Sequence, residues 1–416
     1  MGAMPVPASA IDEAAERLAG VVSRTPLQPN QRLSERTGAS VWLKREDLQP
    51  VRSYKLRGAY NLIAQLGQQE RAAGVICASA GNHGQGVAYA CARLGITAQI
   101  FAPATTPRQK RQRMRALGDG NVELIVSGDT YDEAAALARE AAERTGRVIV
   151  PAFDDPRTIA GQGTVAKEIV EQLGAAPDVL IVPVGGGGML AGCLTWLAER
   201  HPSTQVVGVE PSGAASMAVA LDAGKPVELS KLDTFVDGAG VRRVGDLTFA
   251  VANRLRPRML AVPEGAVCSE MLELYQTDGI IAEPAGALAT AALSRYAPAT
   301  GQHRGGDRVG GNNDLTRYAE IQERALVHEG RKHYFLVNFP QEPGALRRFL
   351  DEVLGPDDDI TLFEYVKRSN RETGPALVGI ELGDPEDLPL LLTRMATSNM
   401  TVEPVPPDSP FYRFLV

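Results

Sequence analysis

The feature that most constrains the fold is a long alternation of short apolar runs with helical patterns, from about residue 41 to residue 209. The runs are rich in β-branched residues, and most are followed by a stretch with apolar residues at helical spacing. The strand candidates are 41–44, 75–78, 98–102, 122–126, 148–150, 179–184 and 206–209. Such runs, separated by helices, are typical of parallel strands that are buried on both faces. The sequence therefore predicts an α/β fold with mostly parallel sheets and flanking helices.

The pattern changes in the last quarter of the chain. A stretch rich in glycine and charge at 299–311 leads into a helical pattern at 315–324. The elements that follow are a strand at 332–339, a helix at 344–353, strands at 360–367 and 376–382, and a helix at 385–398. The order βαββα is typical of a small α+β sandwich. We therefore expect a large first domain over residues 1–325 and a small second domain over residues 326–416.

Composition excludes several classes of protein. Hydrophobic residues make up 44% and charged residues 22% of the 416 residues, which is ordinary for a globular protein. The formal net charge of -7, with no basic run between aromatics, argues against a nucleic-acid partner. No apolar stretch approaches the roughly 20 residues that span a bilayer, so no membrane segment is expected. The first residues lack the charged and apolar parts of a signal peptide, and we predict a cytoplasmic protein.

The four cysteines are scattered, with no Cys-x-x-Cys pair. They are Cys77, Cys91, Cys193 and Cys268. Each lies in an apolar or helical context, which favours buried, reduced thiols over a metal site or disulfides.

The first motif that carries chemistry is a lysine at the predicted start of a helix. The segment Ser53-Tyr54-Lys55-Leu56-Arg57-Gly58-Ala59 places Lys55 in the first turn. A lysine that attacks an aldehyde must lose its proton in a protected pocket, and fixed backbone dipoles assist this. From spacing alone, an exposed amphipathic helix with ordinary lysines is the more frequent explanation.

The second motif follows the strand candidate 75–78. The residues Ser79, Ala80, Gly81, Asn82 and His83 are followed by Gly-Gln-Gly and an alanine-rich helix. Successive backbone N–H groups at a helix N-terminus form an anion site, so a substrate carboxylate fits there without an arginine. The alternative is a simple strand-to-helix turn in which glycines supply positive φ angles.

The third motif is a run of four glycines between a strand and a helix. Gly185, Gly186, Gly187 and Gly188 follow the apolar run 179–184, and Met189 opens the helix. This architecture cradles a phosphate, because the bare backbone and the helix dipole both face the anion. A dinucleotide site remains open as an alternative, since Glu210 lies about 20 residues further on, where such sites carry an acidic residue. The run lacks the spacing Gly-x-Gly-x-x-Gly, which weakens that alternative.

Together these motifs resemble the serine/threonine dehydratases, a branch of the fold type II pyridoxal-phosphate enzymes. The resemblance covers about residues 15–405. It implies a two-lobed fold like that of the tryptophan synthase β subunit, with pyridoxal 5'-phosphate held covalently by Lys55. It also implies that Tyr54 packs near the cofactor, that Asn82 contacts its phenolic oxygen, and that residues 79–83 hold the substrate carboxylate. Further cofactor contacts implied by the family are Gly185, Gly186, Gly187, Gly188, Met189 and Glu283.

One part of the chain departs from the family pattern. After Glu283-Pro284 and its helix, family members have a buried apolar strand that ends in a serine facing the pyridine nitrogen. Here Asp307-Arg308-Val309 runs directly into Gly310-Gly311, and Val309 stands where the serine is expected. A parallel sheet needs this strand for its ladder and its burial. Either residues 306–309 form a truncated strand, or cofactor binding and activity are impaired.

The C-terminal domain also carries a resemblance. The segment His333 to Phe349 contains Pro343-Gly344-Ala345-Leu346, which resembles the first strand-to-helix turn of the ACT-like domains of threonine dehydratases. Such domains pair across subunits and bind an amino-acid effector, so a homo-oligomer (dimer or tetramer) regulated by isoleucine or valine is implied. A domain that serves only for dimerisation is the alternative.

The resemblance as a whole implies a biosynthetic threonine dehydratase. It would convert L-threonine to 2-oxobutanoate and ammonia, the first step of isoleucine biosynthesis. Serine dehydration or racemisation uses the same core and stays open, as does an impaired amino-acid-binding variant. A nucleotide-binding oxidoreductase is the remaining alternative. No metal site is expected.

Overall fold

The structure is a computed structural model that describes residues 4–296, 307–308, 311–312, 314–365, 371–406 and 409–415. The chain divides into two compact units, residues 1–314 and residues 315–416. The division lies at the start of the helical segment that the sequence placed before its boundary at 325–326. That sequence-based boundary stays a prediction, and the two units are described separately.

Strands alternate with helices through most of the first unit, and four more strands lie in the described part of the second unit. In chain order they are β1 (Leu27–Pro29), β2 (Trp42–Lys44), β3 (Val75–Ala78), β4 (Ala98–Ala102), β5 (Val122–Val126), β6 (Val148–Ile149), β7 (Val179–Pro183), β8 (Gln205–Pro211), β9 (Arg258–Val262), β10 (Asp307–Arg308), β11 (Lys332–Pro340), β12 (Asp359–Tyr365), β13 (Thr373–Glu381) and β14 (Thr401–Pro404). Three of the sequence-predicted strands, β3, β4 and β5, have the predicted bounds.

The α-helices have the following bounds. They are α1 (Ala8–Leu18), α2 (Gln31–Thr37), α3 (Lys55–Ile63), α4 (Gln68–Ala73), α5 (Asn82–Leu94), α6 (Arg108–Gly118), α7 (Tyr131–Thr145), α8 (Pro156–Leu173), α9 (Gly188–Arg200), α10 (Ser216–Ala223), α11 (Asp246–Leu255), α12 (Glu264–Gln276), α13 (Pro284–Ala291), α14 (Tyr318–His328), α15 (Ala345–Glu352) and α16 (Leu388–Thr397). Among the described helices, none combines the length and the apolar character that crossing a membrane requires.

The first unit contains two parallel sheets, as predicted. One has the order β5-β4-β3-β6 and the other the order β7-β8-β9. The expectation that the strand series closes at Val206–Val209 is wrong, because β9 pairs in parallel with β8. Residues Met259 to Val262 are apolar, but only Val262 is β-branched, so this strand lacks the run of β-branched residues by which most of the other strands were recognised.

Each parallel sheet has a core of its own. The β3–β4 sheet packs against α3 and α5, and the β7–β8 sheet packs against α1, α8, α9 and α11. All four cysteines are buried and form no disulfide with one another, as the sequence predicted. Helix α8 lies against both α3 and α9 with backbones in close approach, since a Cβ on Gly161 would lie 2.5 Å from the carbonyl oxygen of Arg57. These contacts fix the starts of α3 and α9 relative to each other.

The segment before the two glycines at 310–311 contains a short strand. Asp307–Arg308 pairs in parallel with Leu43 and Lys44 of β2, next to the antiparallel pair β1–β2. A truncated strand, one of the two possibilities left by the sequence, is therefore present. Val309 and Gly310 lie outside the described residues. The expectation that Val309 replaces the serine facing the pyridine nitrogen therefore stays a prediction.

The second unit is an antiparallel sheet with helices, in the order β12-β13-β11-β14. The predicted order βαββα is confirmed, and β14 extends it by one strand. The core lies between the sheet and helices α15 and α16, where the rings of Phe339 and Phe349 meet edge to face at 5.2 Å. Gly344 precedes α15, as the turn motif predicted.

Candidate active site

Lys55 occupies the first position of α3. Its Nζ lies 3.2 Å from the carbonyl oxygen of Ala152 and 5.2 Å from the centre of the Tyr54 ring. The side chain is half-buried. The segment that leads into α3 turns sharply at Arg52, which has a φ of 55°. The lysine is thus held at a helix N-terminus in a partly protected position, as the motif predicted.

The Ser79–His83 loop lies beside the start of α3. A Cβ on Gly86 of α5 would lie 3.0 Å from the backbone nitrogen of Leu56 and 3.1 Å from the carbonyl carbon of Lys55. Real Cβ atoms rarely tolerate such contacts, so only glycine lets the two helices approach this closely. The close approach places the predicted carboxylate loop next to the predicted nucleophile.

The loop itself is folded by its own serine. The Ser79 hydroxyl oxygen accepts hydrogen bonds from the N–H groups of Gly81 at 3.1 Å and Gly84 at 2.9 Å. Within the described part of the chain, no acceptor lies within hydrogen-bond distance of the N–H groups of Ala80, Asn82 and His83. These free donors at the start of α5 form a cradle that suits a carboxylate.

The tetraglycine loop presents a second cradle, at the start of α9. The N–H groups of Gly186 and Gly187 are buried, and no described residue accepts a hydrogen bond from them. A Cβ on Gly186 would lie 2.3 Å from the ring of Phe153, and one on Gly188 would lie 2.9 Å from the same residue. Because buried N–H donors are nearly always paired, the loop is prepared for an anion.

One segment touches all three motifs. Residues 150–154 follow β6, and within them Ala152 accepts the hydrogen bond from Lys55 while Phe153 packs on the glycine loop. Asp154 accepts hydrogen bonds from the N–H groups of residues 246–248 at the start of α11, at 2.9–3.2 Å. Sequence reasoning missed this segment, because only the fold brings it between the motifs.

Comparisons with known proteins bear on this arrangement. Residues 18–310 match the family described as pyridoxal-phosphate-dependent enzymes, and residues 323–415 match the C-terminal regulatory domain of threonine dehydratase. A biosynthetic L-threonine dehydratase of Mycobacterium bovis is 61% identical over 98% of this chain and 95% of the relative. The one of Bacillus subtilis is 48% identical over 97% of this chain and 96% of its own length.

The chain belongs to the biosynthetic threonine dehydratase family. Solved structures agree. The processed form of threonine deaminase isoform 2 from Solanum lycopersicum has a TM-score of 0.71 at 39% identity, covering 78% of this chain and 97% of that one. Maize serine racemase has the same TM-score at 30% identity, covering 78% of this chain and 98% of that one. The predicted two-lobed pyridoxal-phosphate fold is confirmed.

As a member of this dehydratase family, the chain uses pyridoxal 5'-phosphate as its cofactor. The residues present fit that group. An amine at a helix N-terminus suits its aldehyde, and the unpaired buried N–H groups of Gly186 and Gly187 suit its phosphate. Met189 is the second residue of α9, directly after the tetraglycine loop, and its side chain is buried in the core, so its contact with the cofactor stays a prediction.

Asn82 joins a network of polar side chains in this dehydratase. Its Nδ2 donates to Glu283 Oε1 at 2.7 Å, and its Oδ1 accepts from Asn312 Nδ2 at 2.5 Å. Asn312 also donates to the carbonyl oxygen of Val51 at 2.8 Å, close to Lys55 in the chain. The structure thus brings Asn82 and Glu283 together, and it adds Asn312. The sequence analysis singled out Gly310 and Gly311 but gave the following residue, Asn312, no role.

His83 lies deeper than a residue of the carboxylate cradle would. Its ring is buried, and Nε2 lies 2.8 Å from the carbonyl oxygen of Val150. Burial, together with the positive charge of Lys55, lowers the pKa of His83 to about 4, so the ring is neutral at neutral pH. Only the backbone N–H of His83 belongs to the cradle. The prediction that residue 83 contacts the substrate carboxylate therefore concerns its backbone N–H group, and it stays a prediction.

Sequence reasoning also missed a buried ion cluster under α3. Arg57 is fully buried and donates to Glu46 at 2.9 Å and to Glu168 at 2.7 Å, while Lys44 donates to Glu168 at 2.7 Å. Burial alone would lower the pKa of Arg57, but the charges of Glu46 and Glu168 raise it instead. Two cations thus face two anions, and this balance anchors the helix that carries Lys55.

Glu210, the acidic residue that left a dinucleotide site as an alternative, forms its hydrogen bonds with a helix N-terminus. Glu210 is buried and accepts hydrogen bonds from the N–H groups of Met217 at 2.6 Å and Ala218 at 2.9 Å. Burial raises the pKa of Glu210 to about 7. Its carboxylate therefore caps α10 and is not directed to a ribose.

Proposed function

We propose that this chain dehydrates and deaminates L-threonine to 2-oxobutanoate and ammonia. One observation carries the proposal. The Lys55 amine donates to Ala152, whose neighbour Phe153 packs on the tetraglycine loop, while the backbone of Lys55 closely approaches helix α5, which the Ser79–His83 loop opens. Both loops contain N–H groups that have no acceptor in the described part of the chain. One cradle suits the cofactor phosphate and the other suits the carboxylate of an amino acid. The family, in which curated relatives act on threonine, supplies the substrate.

The proposed roles follow from the positions of the groups. The cofactor supplies an electron sink for the charge left at Cα. Residues 79–83 hold the substrate carboxylate through backbone N–H groups, which fixes Cα near Lys55. With the cofactor bound, the Lys55 Nζ would take the Cα proton as a general base. Asn82 orients the cofactor ring through its amide, which Glu283 and Asn312 hold in place.

The β-carbon of threonine carries a methyl group that serine lacks, and the maize relative with the same fold is a serine racemase. We infer a preference for threonine, because the C-terminal unit matches the regulatory domain of threonine dehydratase. Formation of keto acid from each amino acid, together with the appearance of D-serine, measures the preference directly.

The decisive experiment is covalent trapping at Lys55. Protein purified with pyridoxal phosphate is reduced with borohydride, and peptide mapping is expected to find the label on Lys55. The Lys55→Ala variant should lose the visible absorbance and threonine turnover, whereas Lys225→Ala, at an exposed lysine, should keep both. A label elsewhere overturns the proposal. A colourless, inactive wild type that still binds isoleucine supports the alternative of an impaired amino-acid-binding variant.

We further propose that the second unit regulates the enzyme in response to isoleucine, with valine as a second effector, in a cytoplasmic homo-oligomer. Support comes from the match of residues 323–415 to a regulatory domain and from the four buried cysteines, which form no disulfide with one another. Threonine saturation curves with and without each amino acid test the regulation. Sedimentation of the full chain tests the assembly. Unchanged saturation curves would contradict the regulation, and a monomeric species would contradict the homo-oligomer.

A further inference from the structure

The imidazole of His83 is a buried group for which the proposed reaction has no use. It is 5% exposed, and its Nε2 lies 2.8 Å from the carbonyl oxygen of Val150. A carbonyl oxygen can only accept, so Nε2 carries the proton and donates it. The other ring nitrogen, Nδ1, is buried without a hydrogen-bond partner among the described residues. The ring is therefore a single-point donor to the backbone.

The accepting carbonyl belongs to the segment that holds the nucleophile. Val150 is also tied to β3, since its N–H donates to the carbonyl oxygen of Ile76 at 2.9 Å. Two residues further on, Ala152 accepts from Lys55 Nζ at 3.2 Å. Between them, the carbonyl oxygen of Pro151 accepts from the hydroxyl of Thr158 at 3.2 Å.

We propose that His83 is a positioning residue for Lys55, which acts through the Val150 carbonyl and the rigid 150–152 backbone. The hydrogen bond fixes the point at which the segment leaves β6. It thereby fixes the direction of the Ala152 carbonyl that orients the ε-amine. A carbonyl that accepts one N–H of the amine directs the nitrogen lone pair away from itself. This inference rests on the proposed role of Lys55.

The inference separates two roles for position 83. If the side chain bound the substrate carboxylate, its loss would raise KM. If it orients the base, its loss lowers kcat and leaves KM nearly unchanged, because the backbone N–H of residue 83 remains in the cradle. A glutamine at this position offers an N–H at similar reach, whereas a leucine fills the space without a donor.

The test compares His83→Leu and His83→Gln as holoenzymes with threonine. We expect kcat to fall about tenfold in the leucine variant with KM within about twofold, and most of kcat to return in the glutamine variant. The deuterium isotope effect on kcat, with threonine deuterated at Cα, should grow in the leucine variant. His333→Leu is the matched control, since His333 makes the same bond to the Gly330 carbonyl at 2.8 Å in the second unit.

A spectroscopic readout keeps the test independent of turnover. The pH titration of the bound cofactor's visible band should shift in the leucine variant and return towards wild type with glutamine. If leucine prevents folding, His83→Asn, whose amide is too short to reach, replaces it. Equal kcat in all variants, or a rise in KM alone, overturns the inference. An inactive wild type with its label on another lysine would instead overturn the proposed function.

Discussion

The two anion cradles are built alike but braced differently. Each follows a parallel strand and opens a helix, α5 after β3 and α9 after β7. The Ser79–His83 loop is braced from within, because the Ser79 hydroxyl oxygen accepts from two N–H groups of the same loop. The tetraglycine loop has no side chain of its own, and the ring of Phe153 and the hydroxyl of Thr248 brace it from outside.

The difference in bracing corresponds to the kind of ligand that each loop is proposed to bind. A loop that holds a changing substrate benefits from side chains that set its shape before binding. A loop that holds a permanent phosphate needs a bare backbone, so that N–H groups reach the anion from several directions. Mutations that disturb the shape of the first loop's cradle should therefore act on KM for the substrate, whereas mutations of the second loop should act on cofactor affinity.

The largest effect is expected for Gly186→Ala. The new Cβ would lie 2.3 Å from the Phe153 ring, and either the ring or the loop must move. We expect pyridoxal-phosphate affinity to fall about a hundredfold, which corresponds to about 2.7 kcal/mol. Titration of the apoenzyme, followed by absorbance, measures the change. The control is Gly67→Ala, where the added Cβ has an ordinary contact at 3.6 Å. Equal affinities in the two variants would contradict external bracing.

The next effect is expected in the pH dependence of folding stability, which depends on His83 in the first loop. With a pKa of about 4, His83 stays neutral in the folded chain, whereas an unfolded histidine titrates near 6.5. The unfolded state therefore binds more protons, and stability falls as the pH drops from about 6.5 towards 4. Towards pH 5 the wild type should lose about 2 kcal/mol of unfolding free energy more than His83→Gln does. Denaturant melts of both proteins over the pH range measure it, and parallel curves would exclude a neutral buried ring.

A smaller effect is expected for Ser79→Ala. The change removes the oxygen that accepts from Gly81 and Gly84, so the cradle loses its fixed shape. We expect KM for threonine to rise about tenfold with unchanged cofactor affinity, since one lost acceptor for two N–H groups costs about 1–3 kcal/mol. Ser34→Ala is the control, because Ser34 likewise accepts from a backbone N–H, that of Val41 at 2.9 Å, in another region. Weaker cofactor binding in Ser79→Ala would contradict the assignment of the first loop to the substrate and of the second loop to the cofactor.

The smallest effect is expected for Thr248→Val. Its hydroxyl donates to the carbonyl oxygen of Gly186 at 2.7 Å, and valine keeps the shape without the donor. We expect cofactor affinity to fall about fivefold with KM for threonine unchanged, in line with about 1 kcal/mol per hydrogen bond. Thr145→Val, which removes a hydroxyl bonded to the Ala141 carbonyl within α7, should change neither. A higher KM in Thr248→Val would place this threonine with the substrate loop.

The sequence predicted the local elements well where the physical signal is local. The bounds of β3, β4 and β5 follow from short β-branched runs, and the start of α3 at Lys55 follows from the motif. β9 was missed because, among its five residues, only Val262 is β-branched. Asn312 and Asp154 were given no role, since each matters through partners more than 90 residues away in the chain.

By itself, the sequence determined the parallel α/β architecture, the two glycine-rich helix starts, the lysine at the start of a helix and the small C-terminal unit. Periodicity, glycine runs and helix N-termini are properties of neighbouring residues, so they can be read without the fold. Only the tertiary structure decided that residues 150–154 connect Lys55, the tetraglycine loop and His83. It also decided that Glu210 caps a helix and that buried charges anchor α3. Such contacts depend on which helices pack closely in space, and no spacing along the chain encodes that distance.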